Sequence, residues 1–265
     1  MTLAVESPDT SAASGGAGRA LLLAVVVGAG LVAYLGVRPS QPWILWFTAA
    51  LTALAVDGIV RSSPRWEPGG ALASAVYTFL PALAVLGSGY FVGHAVDGYP
   101  RTVVAVVLAA GSGAIAFGEY HTVDFRSRLY GSMRLGLAVA TYLTAFALYT
   151  VVYSGEVGVV AGAVLVALVS TALGMELLRE SRLLGPSSVL AGIAIGVSLG
   201  ELRLALYFFP LDGLLAGALL IIGFYLATGF VHHLLDHDLE WSTTGEYLLV
   251  AAAGTAAVVV TRVFV

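Results

Sequence analysis

The sequence predicts an all-α polytopic bundle embedded in a membrane, and three observations carry that prediction. Of the 265 residues, 59% are hydrophobic and only 11% are charged. Mean hydropathy is +0.94, too high for a chain that must present a largely polar exterior to water. About nine apolar stretches, each near the roughly 20 residues that a helix needs to cross a bilayer, follow one another from Ala20 to Val265.

Residues 1–18, small and polar with no early arginine, read as a disordered tail and lack the basic start of a secretory signal. Residues 19–265 then form a single transmembrane domain, with no length left over for a soluble one. The first span, 20–37, is stopped by Arg38-Pro39, and the second, 43–60, opens on Trp43 and Trp46 at the headgroup level. A polar loop, RSSPRWEPGG, leads to the third span, 71–96, where Pro81 is tolerated if neighbours satisfy the carbonyl it frees. The fourth, 102–118, ends in GEYHTVDFRSR, and the fifth covers about 132–153. A Ser154-Gly155-Glu156 turn gives the sixth, 157–178, and a Gly185-Pro186 break opens the seventh, 187–209. The eighth begins at Gly213, with helical periodicity continuing into HHLLDHDLEW, and the ninth is 246–265. No internal repeat is evident.

Composition excludes several chemistries. Cysteine is absent, which removes thiolate nucleophiles, thiolate metal sites and disulfides. Lysine is absent as well, so no Schiff base to retinal or pyridoxal phosphate can form. No basic cluster suggests nucleic acid, and no GxSxG, HExxH or phosphate-cradling loop is present. Loops after the second, fourth and sixth spans carry Arg61, Arg65, Arg126, Arg128, Arg179 and Arg182, against Arg38 and Arg101 in the alternate loops. Basic residues in short loops stay cytoplasmic, which predicts a cell-membrane protein with its N-terminus inside and its C-terminus outside.

Two constellations stand out. In the seventh span Ser188, Gly192, Gly196 and Gly200 recur every four residues, a smooth stripe against which another helix can pack closely. Glu201 and Arg203 follow, about 4 to 8 Å past the midpoint of that span at 1.5 Å per residue. An ionised group there costs on the order of 3 kcal/mol, so each needs a partner elsewhere in the bundle. Asp57 with Arg61, and Glu176 with Arg179, read as interfacial pairs within one helix.

The second constellation is the stretch His232 to Glu240. His233 and His237 are four apart, with Asp236 and Glu240 on nearby rungs, a spacing that can hold a divalent metal if other helices, through His121 for instance, complete the shell. The pair His233-x-x-x-His237 late in a multi-span chain resembles the alkaline ceramidase and adiponectin receptor superfamily, whose zinc is held by such a pair plus an earlier histidine. That resemblance implies a metal-dependent membrane hydrolase, but it covers one motif, and no serine lies four residues before His94 or His121. The same stretch also suits an amphipathic helix end at the headgroups.

Three readings follow. In the first, the chain is a non-enzymatic transporter of a small solute or ion, or a membrane subunit of a larger or homo-oligomeric assembly, with Glu201 and Arg203 at its centre and no cofactor. In the second it is the metal-dependent hydrolase. In the third it is a scaffold whose buried charges only fix helix register.

Overall fold

With no water to receive backbone hydrogen bonds, each apolar stretch closes its own ladder as a helix. The structure, a computed structural model, describes residues 10–37, 40–66, 71–95, 100–155, 157–179, 186–209, 211–236 and 241–264. Nine helices occur among them: α1 (Thr10–Gly36), α2 (Pro42–Arg61), α3 (Ala71–Ala95), α4 (Pro100–Thr122), α5 (Tyr130–Ser154), α6 (Val159–Leu178), α7 (Pro186–Leu206), α8 (Gly213–Asp236) and α9 (Trp241–Phe264). Eight of them, α1 to α8, are long and apolar enough to cross a membrane. The chain is therefore a multi-pass helical membrane bundle.

Local chemistry explains most boundaries. Pro42 starts α2, where a missing N–H is harmless. Asp212 caps α8, its Oδ1 accepting the Leu215 N–H at 2.8 Å. α1 includes residues 10–18, which the sequence places in the polar tail; with three glycines among these nine residues, intrinsic propensity does not account for the extension, and Gly16 packs under the Tyr120 ring. α7 stops at Leu206, although apolar residues run on to Phe209. Tyr207, Phe208 and Phe209 instead donate to carbonyls three residues back, a tightened last turn before Pro210, whose ring bars further helix. Within the bundle, the hydroxyls of Thr48, Thr52, Thr141, Ser170 and Thr228 donate to carbonyls four residues back, so they need no partner on another helix.

Two four-helix halves result. In the first, α1 packs on α4 and α2 on α3; in the second, α5 packs on α8 and α6 on α7, so the neighbour order of the first half recurs in the second. Each half has its own apolar core, one around Leu31, Leu45 and Val85, the other around Tyr149, Leu173 and Phe224. The halves meet where α3 and α4 pack on α5 and where α3 packs on α6. α9 packs on α8. The repetition is invisible in the sequence because it lies in the order of contacts, which any amphipathic residues can satisfy.

Candidate functional site

Ionised side chains inside an apolar bundle must find partners, and four do so together at the seam between the halves. Glu119 sits in the last turn of α4, Arg134 in the second turn of α5, Glu176 in the last turn of α6 and Arg179 just beyond it. Their side chains are at most 7% exposed. Arg134 donates through Nη1 to Glu176 Oε1 at 2.7 Å, and through Nη2 to the carbonyls of Glu176 and Leu177 at 2.6 and 2.9 Å. It thereby satisfies the carbonyls left over at the end of α6.

Arg179 spans the seam. Its Nη2 lies 3.0 Å from Glu176 Oε1 on its own half and 2.8 Å from Glu119 Oε2 on the other. The same nitrogen donates to Thr122 Oγ1 at 3.2 Å, and the guanidinium lies 4.0 Å above the Tyr77 ring of α3, itself edge-on to Trp66. Burial disfavours the Arg179 charge, but the facing Glu119 and Glu176 carboxylates outweigh it and hold its pKa above the ordinary arginine value. Two carboxylates face two guanidiniums, so the cluster is neutral when all four are ionised. Glu119 Oε1, Glu176 Oε2 and Arg179 Nη1 are nevertheless buried without a hydrogen-bond partner, leaving capacity for a proton or a water molecule.

A cavity of about 830 Å³ runs along the same seam between α3, α4 and α5. Its walls are apolar, with Phe91, Leu108, Ile115 and Phe146 among them, and Gly111 and Gly136 widen it. A Cβ added at either glycine would meet nothing within 4 Å. Val107, Val139 and Leu143, all exposed, form a lip facing outward, where lipid would lie. On α4 the lining extends from Val104 to Gly118, about 21 Å of helix at 1.5 Å per residue. Gly118 immediately precedes Glu119, but none of the four charged residues lines the slot.

The residues singled out from sequence are distributed differently. Gly192, Gly196 and Gly200 line the face of α7 toward α6, where added Cβ atoms would meet Met175, the Thr171 side chain with the Ala167 carbonyl, and the Ala163 carbonyl respectively; Ser188 is buried at the start of the same stripe. Glu201 is exposed, whereas Arg203 is 4% exposed and packs over the Tyr153 ring at 4.4 Å. Because α7 ends at Leu206, both lie in its last two turns. Among the described residues, the fully buried carboxylates are Glu119 and Glu176. Glu176 and Arg179 do pair, but inside the bundle instead of at its interface; Asp57 and Arg61 form the exposed pair, at 2.8 Å.

His121 stands on α4 against Phe117 and Tyr120, while His233 stands on α8 against His232 and Tyr247. α4 packs on α1, α2, α3 and α5, and α8 on α5, α6, α7 and α9, so their helices do not bring these histidines together. His237, Glu240 and the Asp236 side chain lie outside the described residues. Among the described residues, no group of three or more His, Cys, Asp or Glu side chains is placed to hold a metal.

A family model described as "Protein of unknown function (DUF5656)" matches residues 18–261. No curated protein and no solved structure matches the chain.

Proposed function

The chain belongs to the DUF5656 family, and from that premise we propose that it is a non-enzymatic membrane transporter whose solute carries a hydrocarbon chain. One observation carries this reading: an apolar slot of about 830 Å³ lies in the seam between two helical halves, the same seam that Arg179 bridges through Glu119 and Glu176. Its volume falls in the range of small-molecule sites, and its lip faces the bilayer. Two halves that rock about a shared seam are a common basis of alternating access. Arg179, bridging Glu119 and Glu176 across that seam, is the latch in this scheme. Glu119, with one oxygen unpartnered, is the group that takes up a proton when the latch opens, a role the sequence assigns to Glu201.

The test is uptake of nitroxide-labelled single-chain amphiphiles into proteoliposomes, with carboxylate, phosphate and quaternary ammonium heads compared. Gly111→Leu and Gly136→Leu fill the slot without displacing a helix, and each is expected to lower uptake at least tenfold. Uptake unchanged by both substitutions, or no protein-dependent uptake of any probe, rejects the reading. The exact two-to-two charge balance of the cluster favours a second reading, a static scaffold held by the same latch. Spin labels on α2 and α7 separate the two: a single distance distribution, insensitive to probe, supports the scaffold.

A further inference from the structure

We infer that the end of the bundle opposite the arginine-rich loops holds an oxyanion site, formed by the Arg203 guanidinium and the uncapped first turn of α6. This site is separate from the seam and does not depend on the transport reading. Arg203 is 4% exposed, and its Nε and Nη1 are buried with no hydrogen-bond partner. Snorkelling would have brought the guanidinium out to solvent, which that burial excludes. The Tyr153 ring lies against it, but the Tyr153 hydroxyl is turned away, donating to the Leu206 and Phe209 carbonyls at 2.9 and 3.2 Å.

On its other side Arg203 meets α6. A Cβ added to Gly162 would stand 3.5 Å from Nη2 and 3.7 Å from Nε, ordinary contact distances that place the guanidinium directly against this face of α6. α6 begins after Gly158, with no side-chain cap and no acidic residue in its first turn. The first intrahelical bond is Gly162 N–H to the Gly158 carbonyl at 2.8 Å, so the amides of Val159, Val160 and Ala161 have no acceptor within the helix. A helix N-terminus carries about half a positive charge. Placing it beside a buried guanidinium is unfavourable until an anion sits between them, and then both become donors to it.

Among the described residues, the nearby carboxylates do not fill that place. Glu201 is exposed, and the Asp212 carboxylate accepts the Leu215 N–H. Glu156, in the α5–α6 connection, lies outside the described residues and enters as a control. Tyr207, Phe208 and Phe209, each more than half exposed, follow Arg203 by four to six residues and mark the headgroup level. The site therefore lies about one helical turn below lipid phosphates, and the ligand is a phosphate-type oxyanion, either on an anionic lipid or free in solution.

The test uses the full chain in nanodiscs. In pure phosphatidylcholine discs, inorganic phosphate is titrated and followed by calorimetry. In discs doped with phosphatidylglycerol, lipid retention is read by native mass spectrometry. Saturable phosphate binding in the first assigns a free anion, and selective retention of phosphatidylglycerol alone assigns a lipid; either supports the site. Arg203→Gln is expected to weaken the observed binding at least tenfold. Arg203→Lys keeps the charge but loses the planar fork; it is expected to weaken binding several-fold while folding normally. Glu156→Gln is expected to leave binding unchanged. The inference fails if wild type binds neither probe better than Arg203→Gln and Arg203→Lys do. It fails equally if binding emerges only in Glu156→Gln, because Glu156 is then the intramolecular counter-ion.

Discussion

Arg179→Met removes the guanidinium that reaches across the seam while keeping an unbranched apolar stem of similar length. Glu176 retains Arg134 at 2.7 Å, but Glu119, 0% exposed, loses its ion pair and is left as an uncompensated buried carboxylate. Breaking a buried pair from one side costs about 3–5 kcal/mol, and the lost stacking on Tyr77 adds up to about 2 kcal/mol, part of which is already counted in the first figure. We expect about 4 kcal/mol of destabilisation. Glu119→Gln alone keeps an acceptor facing Arg179, which still has Glu176, and should cost about 1–2 kcal/mol. In the double variant no orphan charge remains, so its cost should be about 2–3 kcal/mol, well below the sum of the singles. Reversible unfolding in mixed micelles with increasing SDS, followed by tryptophan fluorescence, measures all four proteins. If Arg179→Met costs less than about 1 kcal/mol, or if the two substitutions simply add, then water reaches the cluster and Arg179 is no latch.

Other outcomes follow from the same geometry. Asp57→Asn should change stability by less than about 0.5 kcal/mol in that unfolding assay, because its pair with Arg61 is exposed and screened. Gly196→Val should cost about 1–3 kcal/mol or more, since its side chain would be driven into Thr171 and the Ala167 carbonyl, and cross-linking between α6 and α7 should report a displaced helix. Tyr149→Phe should cost about 1 kcal/mol: it removes the 2.7 Å bond to Ser170, whose hydroxyl keeps the Val166 carbonyl. Gly136→Leu should leave the unfolding midpoint nearly unchanged, because its side chain enters open space; a large loss would show that the slot is not there.

Hydropathy alone determined the class of this protein and the positions of its helices, because a stretch immersed in lipid has no backbone partner but itself. The boundaries that hydropathy misplaces are those set by hydrogen bonding and packing. α7 closes at Leu206 through tightened turns before Pro210, and α1 reaches back through residues 10–18, where Gly16 is seated against the Tyr120 ring. The charged residues divide differently. Asp57 with Arg61 and Glu176 with Arg179 are near-identical motifs in the sequence, each a carboxylate one turn ahead of an arginine at the end of a span. Only the meeting of α3, α4, α5 and α6 makes the second pair a dry junction, by bringing Glu119, Arg134 and Tyr77 to it from three other helices. Likewise Glu201 and Arg203 are two residues apart, yet one faces outward and the other is enclosed by α5 and α6. Whether a charge is buried depends on which helices surround it. That depends on contacts between residues far apart in the chain, which local sequence does not encode.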